Sequence, residues 1–338
     1  MITPKPGRVL LTRMKFIGDV ILTTPIIESV RAALPGAYIA YLGAKDAVSL
    51  LGGNPYLDEV ISYDTDASGL PEFLRVVGLL RRRKFDLAID MFNNPRSALL
   101  TRVSGATVRV GLERSVRASL YTVRVRDDGS PKTPVEFHSQ FLKAVGIPSV
   151  ATTTRMYLTP DELEQARAMV PDGDGPLIGL HPGATWPAKR WLPERFAALA
   201  DEIQRRGARV MLTAGPNDMD AIREVLEATV NPPSVLPVVP LRQLAAAISC
   251  CSAYVSNDAG PMHISAALGV PTIGIFGPGE ENIWFPYSAS AGNVAFRHNV
   301  ECHPCHKDFC PREGSGYMEC MRGLEIELIL SSLARFLR

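Results

Sequence analysis

Short β-type runs alternate with helical segments along most of the chain, and that rhythm leaves few architectures open. RVLLTR (8–13) reads as a buried strand, followed by a Gly18-Asp19 turn and a helical stretch to about Leu34, with Pro25 placed to start a second helical segment. AYIAYLG (37–43) is the next strand, EFLRVVGLLRRRKF (72–85) has the spacing of an amphipathic helix, and DLAIDMF (86–92) is again a strand. The pattern weakens over 127–160, which is rich in Pro, Gly and Thr, and then restarts. PLIGLHPG (176–183), RVMLTAG (209–215), AYVSND (253–258) and PTIGIFGP (271–278) read as strands. Between them lie helices at about 193–206, 241–251 and 260–269, the first opened by Pro193 and closed by Gly207, the last closed by Gly269. The final segment, LEIELILSSLARFLR (324–338), is an amphipathic helix. Alternation of this kind builds parallel sheets covered by helices on both faces. The reading is therefore α/β, with one domain at 1–160, a second at 161–322, and a helix at 323–338 that is expected to pack back on the first domain. Ligands of such sheets bind beyond the carboxyl ends of the strands, so function has to be sought in the loops.

Composition sets the class. At 46% hydrophobic and 21% charged residues the chain is globular and not disordered. There is no run of about 18 uninterrupted apolar residues to span a membrane, and the first residues lack the apolar stretch of a secretion signal. A cytoplasmic protein is the expectation. Net charge is only +1, but residues 1–160 hold 21 Lys and Arg against 14 Asp and Glu, which leaves the remainder acidic. Arg81, Arg82, Arg83 and Lys84 cluster, and Arg96, Arg102, Arg109, Arg114, Arg117, Arg124 and Arg126 follow. This either reports an anionic partner for the first half or is scatter over a solvated surface. Aromatic residues do not interleave with the basic cluster, which argues against a nucleic-acid partner.

Four loops carry candidate chemistry. At 256–278 a strand ends in a polar turn and a helix begins at once, so that Asp258, Ala259 and Gly260 supply backbone N–H groups at a helix N-terminus, an anion-suited arrangement, with His263 on the first turn. The alternative is that Asp258 caps the helix and His263 is a satisfied core histidine. HPGATWPAKRW (181–191) also follows a strand and offers Thr185 and Lys189, a hydroxyl and a point charge suited to a pyrophosphate. With no acidic cluster beside these loops, phosphate binding without a divalent cation is the expectation. TAGPNDMD (213–220) carries Asp218 at a strand end, where a carboxylate either accepts ribose hydroxyls or closes a turn. MKFIGDVILTTP (14–25) places Asp19 at a helix start, as a general base or as a cap. Neither G-x-G-x-x-G, G-x-x-x-x-G-K-[ST] nor G-x-S-x-G occurs, which removes the main sequence support for dehydrogenase, P-loop kinase and α/β-hydrolase readings.

Three stretches together resemble one known family: R-x-x-x-I-G-D-V-x-L-T-T-P from Arg13 to Pro25, an HPG-to-KRW-x-P-E-x-F stretch from His181 to Phe196, and N-D-x-G-x-x-H-x-A-x-A-x-G-x-P-T-x-x-x-F-G from Asn257 to Gly277. They look like glycosyltransferase family 9, which contains the ADP-heptose:lipopolysaccharide heptosyltransferases. The resemblance implies two Rossmann-like domains facing a cleft (the GT-B fold), a nucleotide-sugar donor on the C-terminal domain, and no cofactor. It implies inverting transfer of heptose from ADP-heptose to an anionic Kdo-lipid A type acceptor, by an enzyme peripheral to the cytoplasmic face of the inner membrane. By position, Asp19 matches the family's general base, Thr185 and Lys189 its donor-phosphate groups, and Asp258, Gly260 and His263 its D-[TS]-G-x-x-H motif. Asp218 stands where an acidic residue, usually Glu, lies near the donor ribose. Ala259 replaces the motif's Thr or Ser, so one hydroxyl is missing at the donor. This leaves room for another donor or acceptor, or for a sugar-nucleotide-binding protein without transfer activity.

Cys302, Cys305, Cys310 and Cys320 form C-x2-C-x4-C-x9-C with His303 and His306 interleaved. In a cytoplasmic chain this reads as a structural zinc site, as disulfides or as free thiols.

Overall fold

The structure, a computed structural model, describes residues 5–67 and 69–337. Residues 1–4 of the stretch read for a secretion signal, and Arg338 of the final helix, lie outside them. The chain divides into two compact units, 1–157 and 158–338, a boundary close to the expected one at 160.

The first unit contains β1 (Arg8–Thr12), α1 (Ile17–Ile21), α2 (Thr24–Ala33), β2 (Tyr38–Ala44), α3 (Lys45–Ser49), β3 (Glu59–Tyr63), α4 (Gly69–Arg83), β4 (Leu87–Asp90), α5 (Pro95–Val103), β5 (Val108–Leu112), β6 (Val123–Val125) and α6 (Pro134–Lys143). Its six strands are all parallel, in the order β3-β2-β1-β4-β5-β6. Successive residues of β1 go to opposite faces: Val9 and Leu11 join Ile39, Tyr41, Leu87 and Ile89 in one apolar layer, and Leu10 joins Ala40, Leu42 and Ala88 in the other. That is why central strands of a doubly covered sheet read as continuous apolar runs. The helices start where the sequence supplies caps. Thr133 accepts the Glu136 N–H and Glu136 answers to the Thr133 N–H ahead of Pro134.

The second unit contains α7 (Pro160–Met169), β7 (Leu177–His181), α8 (Pro193–Arg205), β8 (Arg209–Leu212), α9 (Met219–Ala228), β9 (Ser234–Val235), α10 (Leu241–Ser249), β10 (Ala253–Asn257), α11 (Gly260–Ala267), β11 (Thr272–Phe276), α12 (Glu281–Trp284), β12 (Val294–Arg297), α13 (Glu319–Arg322) and α14 (Ile326–Leu333). Its strands are again all parallel, in the order β12-β11-β10-β7-β8-β9. Counted from its own first strand, this is the order of the first unit. In each sheet the order reverses once, between β1 and β4 and between β7 and β10, and each reversal is a topological switch point.

The buried face of the final helix is part of the second unit's core: Ile329, Leu330 and Leu333 pack with Phe196, Leu199 and Ile203 of α8, and Arg195 makes a two-toothed ion pair with Glu325. The apolar face of α8 has to be covered, and these leucines and isoleucines cover it.

Candidate active site

The second switch point brings together the two loops singled out for anion binding. β7 ends at His181 and β10 at Asn257, so the loop 182–191 and the start of α11 emerge side by side at the carboxyl edge. Asn257 fastens them. Its fully buried amide donates to Pro182 O at 2.8 Å, and its Oδ1 accepts the Trp191 N–H at 3.1 Å. The sequence reading quotes Asn257 within a motif without giving it this work; its sign was a polar residue ending an otherwise apolar strand.

Lys189 and Asp258 meet across these loops, Nζ to Oδ2 at 2.5 Å. The ammonium also lies 4.6 Å from the centre of the Trp186 ring. Gly279, in the loop after β11, is needed here: a Cβ on it would stand 2.9 Å from Asp258 Oδ2. Asp258 departs from both expectations for it. Its N–H is committed to Ile275 O, and it does not cap the helix, because Ala259 is the N-cap and no side chain caps it. Pro261 has no N–H, so the anion-facing backbone donors of this turn reduce to Ala259 and Gly260. His263, 5% exposed, makes a 2.5 Å hydrogen bond between Nδ1 and Tyr287 Oη. Burial, and then the Asp258 charge, raise the Tyr287 phenol well above its ordinary pKa, so this hydroxyl keeps its proton. Tyr287 lies 24 residues from its partner, and no local pattern announces it. Thr185 is exposed in the same loop.

Asp218 stands at the edge of this cluster. Its Oδ2 accepts the Gly215 N–H at 2.9 Å, closing the turn after β8, and its Oδ1 lies 3.8 Å from Arg190. The carboxylate presses on Gly183 so closely that a Cβ there would fall 2.3 Å from its Cγ. His181, beneath it, donates from Nδ1 to Thr213 O at 2.9 Å. Burial lowers the pKa of this ring, so it is neutral and offers Nε2 as an acceptor.

The first switch point carries Asp19, the third residue of α1. One oxygen pairs with Arg13, the other accepts the Phe16 N–H at 3.1 Å. Arg13 also donates to Met91 O at 2.8 Å, which ties the loop after β1 to the loop after β4. In that second loop Asp90 is fully buried and accepts from Phe92 N–H, Asn93 N–H and the Tyr121 hydroxyl. Burial raises the Asp90 pKa against the pull of those bonds. Nearby, an open groove of about 450 Å³ is lined by Tyr63, Phe73 and Leu99 with Arg96 and Arg117. Several of the other clustered arginines serve the fold: Arg83 pairs with Glu59, Arg109 donates to the carbonyls of Leu120 and Ala106, and Arg114 pairs with Asp127.

The four clustered cysteines border one small cavity of the second unit. Burial, and then the three other thiols, push Cys320 up to about 11. No disulfide joins any of the six cysteines. Among the described residues, no group of three or more His, Cys, Asp or Glu side chains is set to hold a metal ion as the side chains stand.

A profile of glycosyltransferase family 9 (heptosyltransferase) matches residues 73–315. The chain belongs to glycosyltransferase family 9. Among its relatives, it is 30% identical to lipopolysaccharide heptosyltransferase 1 of Pseudomonas aeruginosa over 318 residues, 90% of this chain and 87% of that one. It is 28% identical to lipopolysaccharide heptosyltransferase 3 of Escherichia coli over 290 residues, 81% and 85% of the two chains. The crystal structure of a family 9 glycosyl transferase from Veillonella parvula matches with a TM-score of 0.84 at 26% identity, covering 98% of this chain and 97% of that one. The family 9 assignment agrees with two Rossmann-like units of identical strand order, the building blocks of the GT-B fold.

Proposed function

We propose that this family 9 enzyme transfers heptose from ADP-heptose to the inner core of lipopolysaccharide, with inversion at the anomeric carbon. The observation that carries the reading is the convergence of Lys189, the start of α11 and His263 on loops fastened by Asn257 at the second switch point, in a chain whose relatives are named for heptose transfer. A nucleotide diphosphate suits this cluster: Lys189, the Thr185 hydroxyl, the Ala259 and Gly260 N–H groups and the His263 ring all donate to anions. Asp218 is the candidate for the ribose hydroxyls. Asp258 holds Lys189 in place until a phosphate competes for it.

In the proposed step Asp19 accepts the proton of an acceptor hydroxyl. The freed oxygen forms its bond to the anomeric carbon from one face as the bond to the nucleotide phosphate breaks on the other. Each Asp19 oxygen, though engaged, keeps a second lone pair for that proton. The leaving diphosphate gains charge, and the donors named above stabilise that charge in the transition state; a single preorganised donor of this kind can be worth roughly 3–4 kcal/mol. Arg96 and Arg117, in their apolar groove, suit the carboxylates and phosphates of a Kdo-lipid A type acceptor. No helix among the described residues is long and apolar enough to cross a membrane. Access to a lipid-borne acceptor then rests on peripheral attraction of the basic first half to anionic lipid at the cytoplasmic face.

Turnover of ADP-heptose with a Kdo-bearing acceptor tests the proposal. Product with inverted anomeric configuration is the expected result, and no product with either substrate varied overturns it. Ala259 motivates a second reading, a family 9 transferase with another donor. A panel of nucleotide sugars separates the two: faster turnover with ADP-heptose than with the others supports the first reading, and faster turnover with another nucleotide sugar supports the second.

A further inference from the structure

Residues 298–318 join β12 to α13 with a single 3₁₀ turn, Gly314–Gly316, as their only regular structure. Segments of this length inside a compact unit are uncommon and need something to hold them. Apolar packing holds only its end, where Met318 meets the second unit's core; Phe309 is 70% exposed and Tyr317 49%. What the segment has at its centre is sulfur. Cys302, Cys305 and Cys310, with Cys320 from α13, line one cavity of about 50 Å³, a volume on the scale of a single ion and its donor atoms. The Met318 N–H donates to Cys310 Sγ at 3.3 Å, and the Arg312 guanidinium lies 3.9 Å from Cys302 Sγ. Both favour sulfur that carries negative charge. His306 and Met318, non-glycine residues flanking the cavity, hold positive φ angles of 49° and 47°.

The same segment braces the donor loops. The Ala188 N–H donates to Asp308 O at 2.9 Å, the His306 N–H to Pro278 O at 3.1 Å, and His303 Nδ1–H to Gly277 O at 3.0 Å. Ala188 adjoins Lys189, and Gly277 and Pro278 lead into Gly279, against which the Asp258 carboxylate packs.

We propose that Cys302, Cys305, Cys310 and Cys320 bind one thiophilic divalent cation, zinc or iron(II), in a tetrahedral tetrathiolate site that staples this segment against the loops of Lys189 and Gly279. An all-sulfur donor set excludes magnesium and calcium and suits these two ions. Binding exchanges four thiol protons for one M²⁺, leaving a site of charge −2 beside Arg312. No three sulfurs converge as the side chains stand, so binding has to draw them inward across the cavity they line. The inference is independent of donor and acceptor identity.

The test is elemental analysis of the full-length protein purified under reducing conditions from cells grown with added zinc or iron. About one zinc or iron per chain is expected, with the four cluster thiols shielded from maleimide until a chelator is added. Which metal is found distinguishes the two ions. Cys310→Ser should lose most of the metal. Should that variant misfold, the wild type decides: chelation should lower the melting temperature, and restored zinc or iron should reverse the loss. Metal below about a tenth of an equivalent, with cluster thiols alkylated in the native protein or joined as disulfides, overturns the proposal.

Discussion

At the first switch point the two loops are clasped by a cation: Arg13 reaches Asp19 in one loop and Met91 O in the other. At the second the clasp is a neutral amide, Asn257, holding Pro182 O and Trp191 N–H. The sheets beneath are wound in the same order, so topology does not explain the difference. What each site has to handle does. On the proposed function, an arginine beside Asp19 offsets a carboxylate charge that would otherwise repel an anionic acceptor. A neutral, buried, fully hydrogen-bonded clasp leaves the field of that loop pair to Lys189 and the helix start.

The strongest way to break this comparison is at Asp19. Asp19→Asn should lower the transfer rate by about 10²–10⁴-fold while leaving ADP affinity unchanged, because the proposed base lies on the first unit and the proposed donor groups on the second. A loss of ADP binding of the same size would mean that the residue serves the fold or the donor. Next comes Lys189→Ala, which removes a charged donor and leaves the Asp258 carboxylate unpaired. ADP affinity should fall by about 10–100-fold, measured by calorimetry; no change would end the phosphate assignment. Asn257→Ala leaves one carbonyl and one N–H buried without their partner and should cost about 1–3 kcal/mol in chemical denaturation. An Arg13→Gln variant, compared with it, should affect turnover more than stability, since that clasp is partly exposed.

The last expected effect is a pH slope. His138 is buried, its Nδ1 lacks a hydrogen-bond partner in the structure, and burial depresses its pKa to about 3. The folded value lies below the unfolded one, so between about pH 6.5 and 3 the unfolded chain binds more protons and stability falls as pH falls, by up to about 1.4 kcal/mol per unit. Denaturation of His138→Phe across that range should show a shallower slope than the wild type.

The sequence made the central strands plain and the outer ones obscure, for one physical reason. β1, β4, β7 and β10 are covered on both faces and read as unbroken apolar runs. β3, β6 and β12 lie at or near the sheet edges and are only partly buried, with Glu59, Arg124 and Arg297 among their residues, and β9 is two residues long; none has the pattern of a buried strand. The helix α6 lies inside the stretch 127–160, where Pro and Thr act as its start signal and not as loop chemistry. Lys189, Gly260 and His263 could be singled out as candidates because each lies in the loop or first helical turns that follow a strand. Arg13, Tyr287 and the clasp of Asn257 were not, because their work is defined by partners 78, 24 and 75 residues away.

The position of α14 has a consequence for how this polypeptide can be handled. Because its leucines complete the core of residues 158–338, each half is an unbroken stretch of chain, and a single covalent link, Tyr157 to Leu158, joins them. A gene divided at that link would encode two fragments, each with a whole sheet and its own apolar layers.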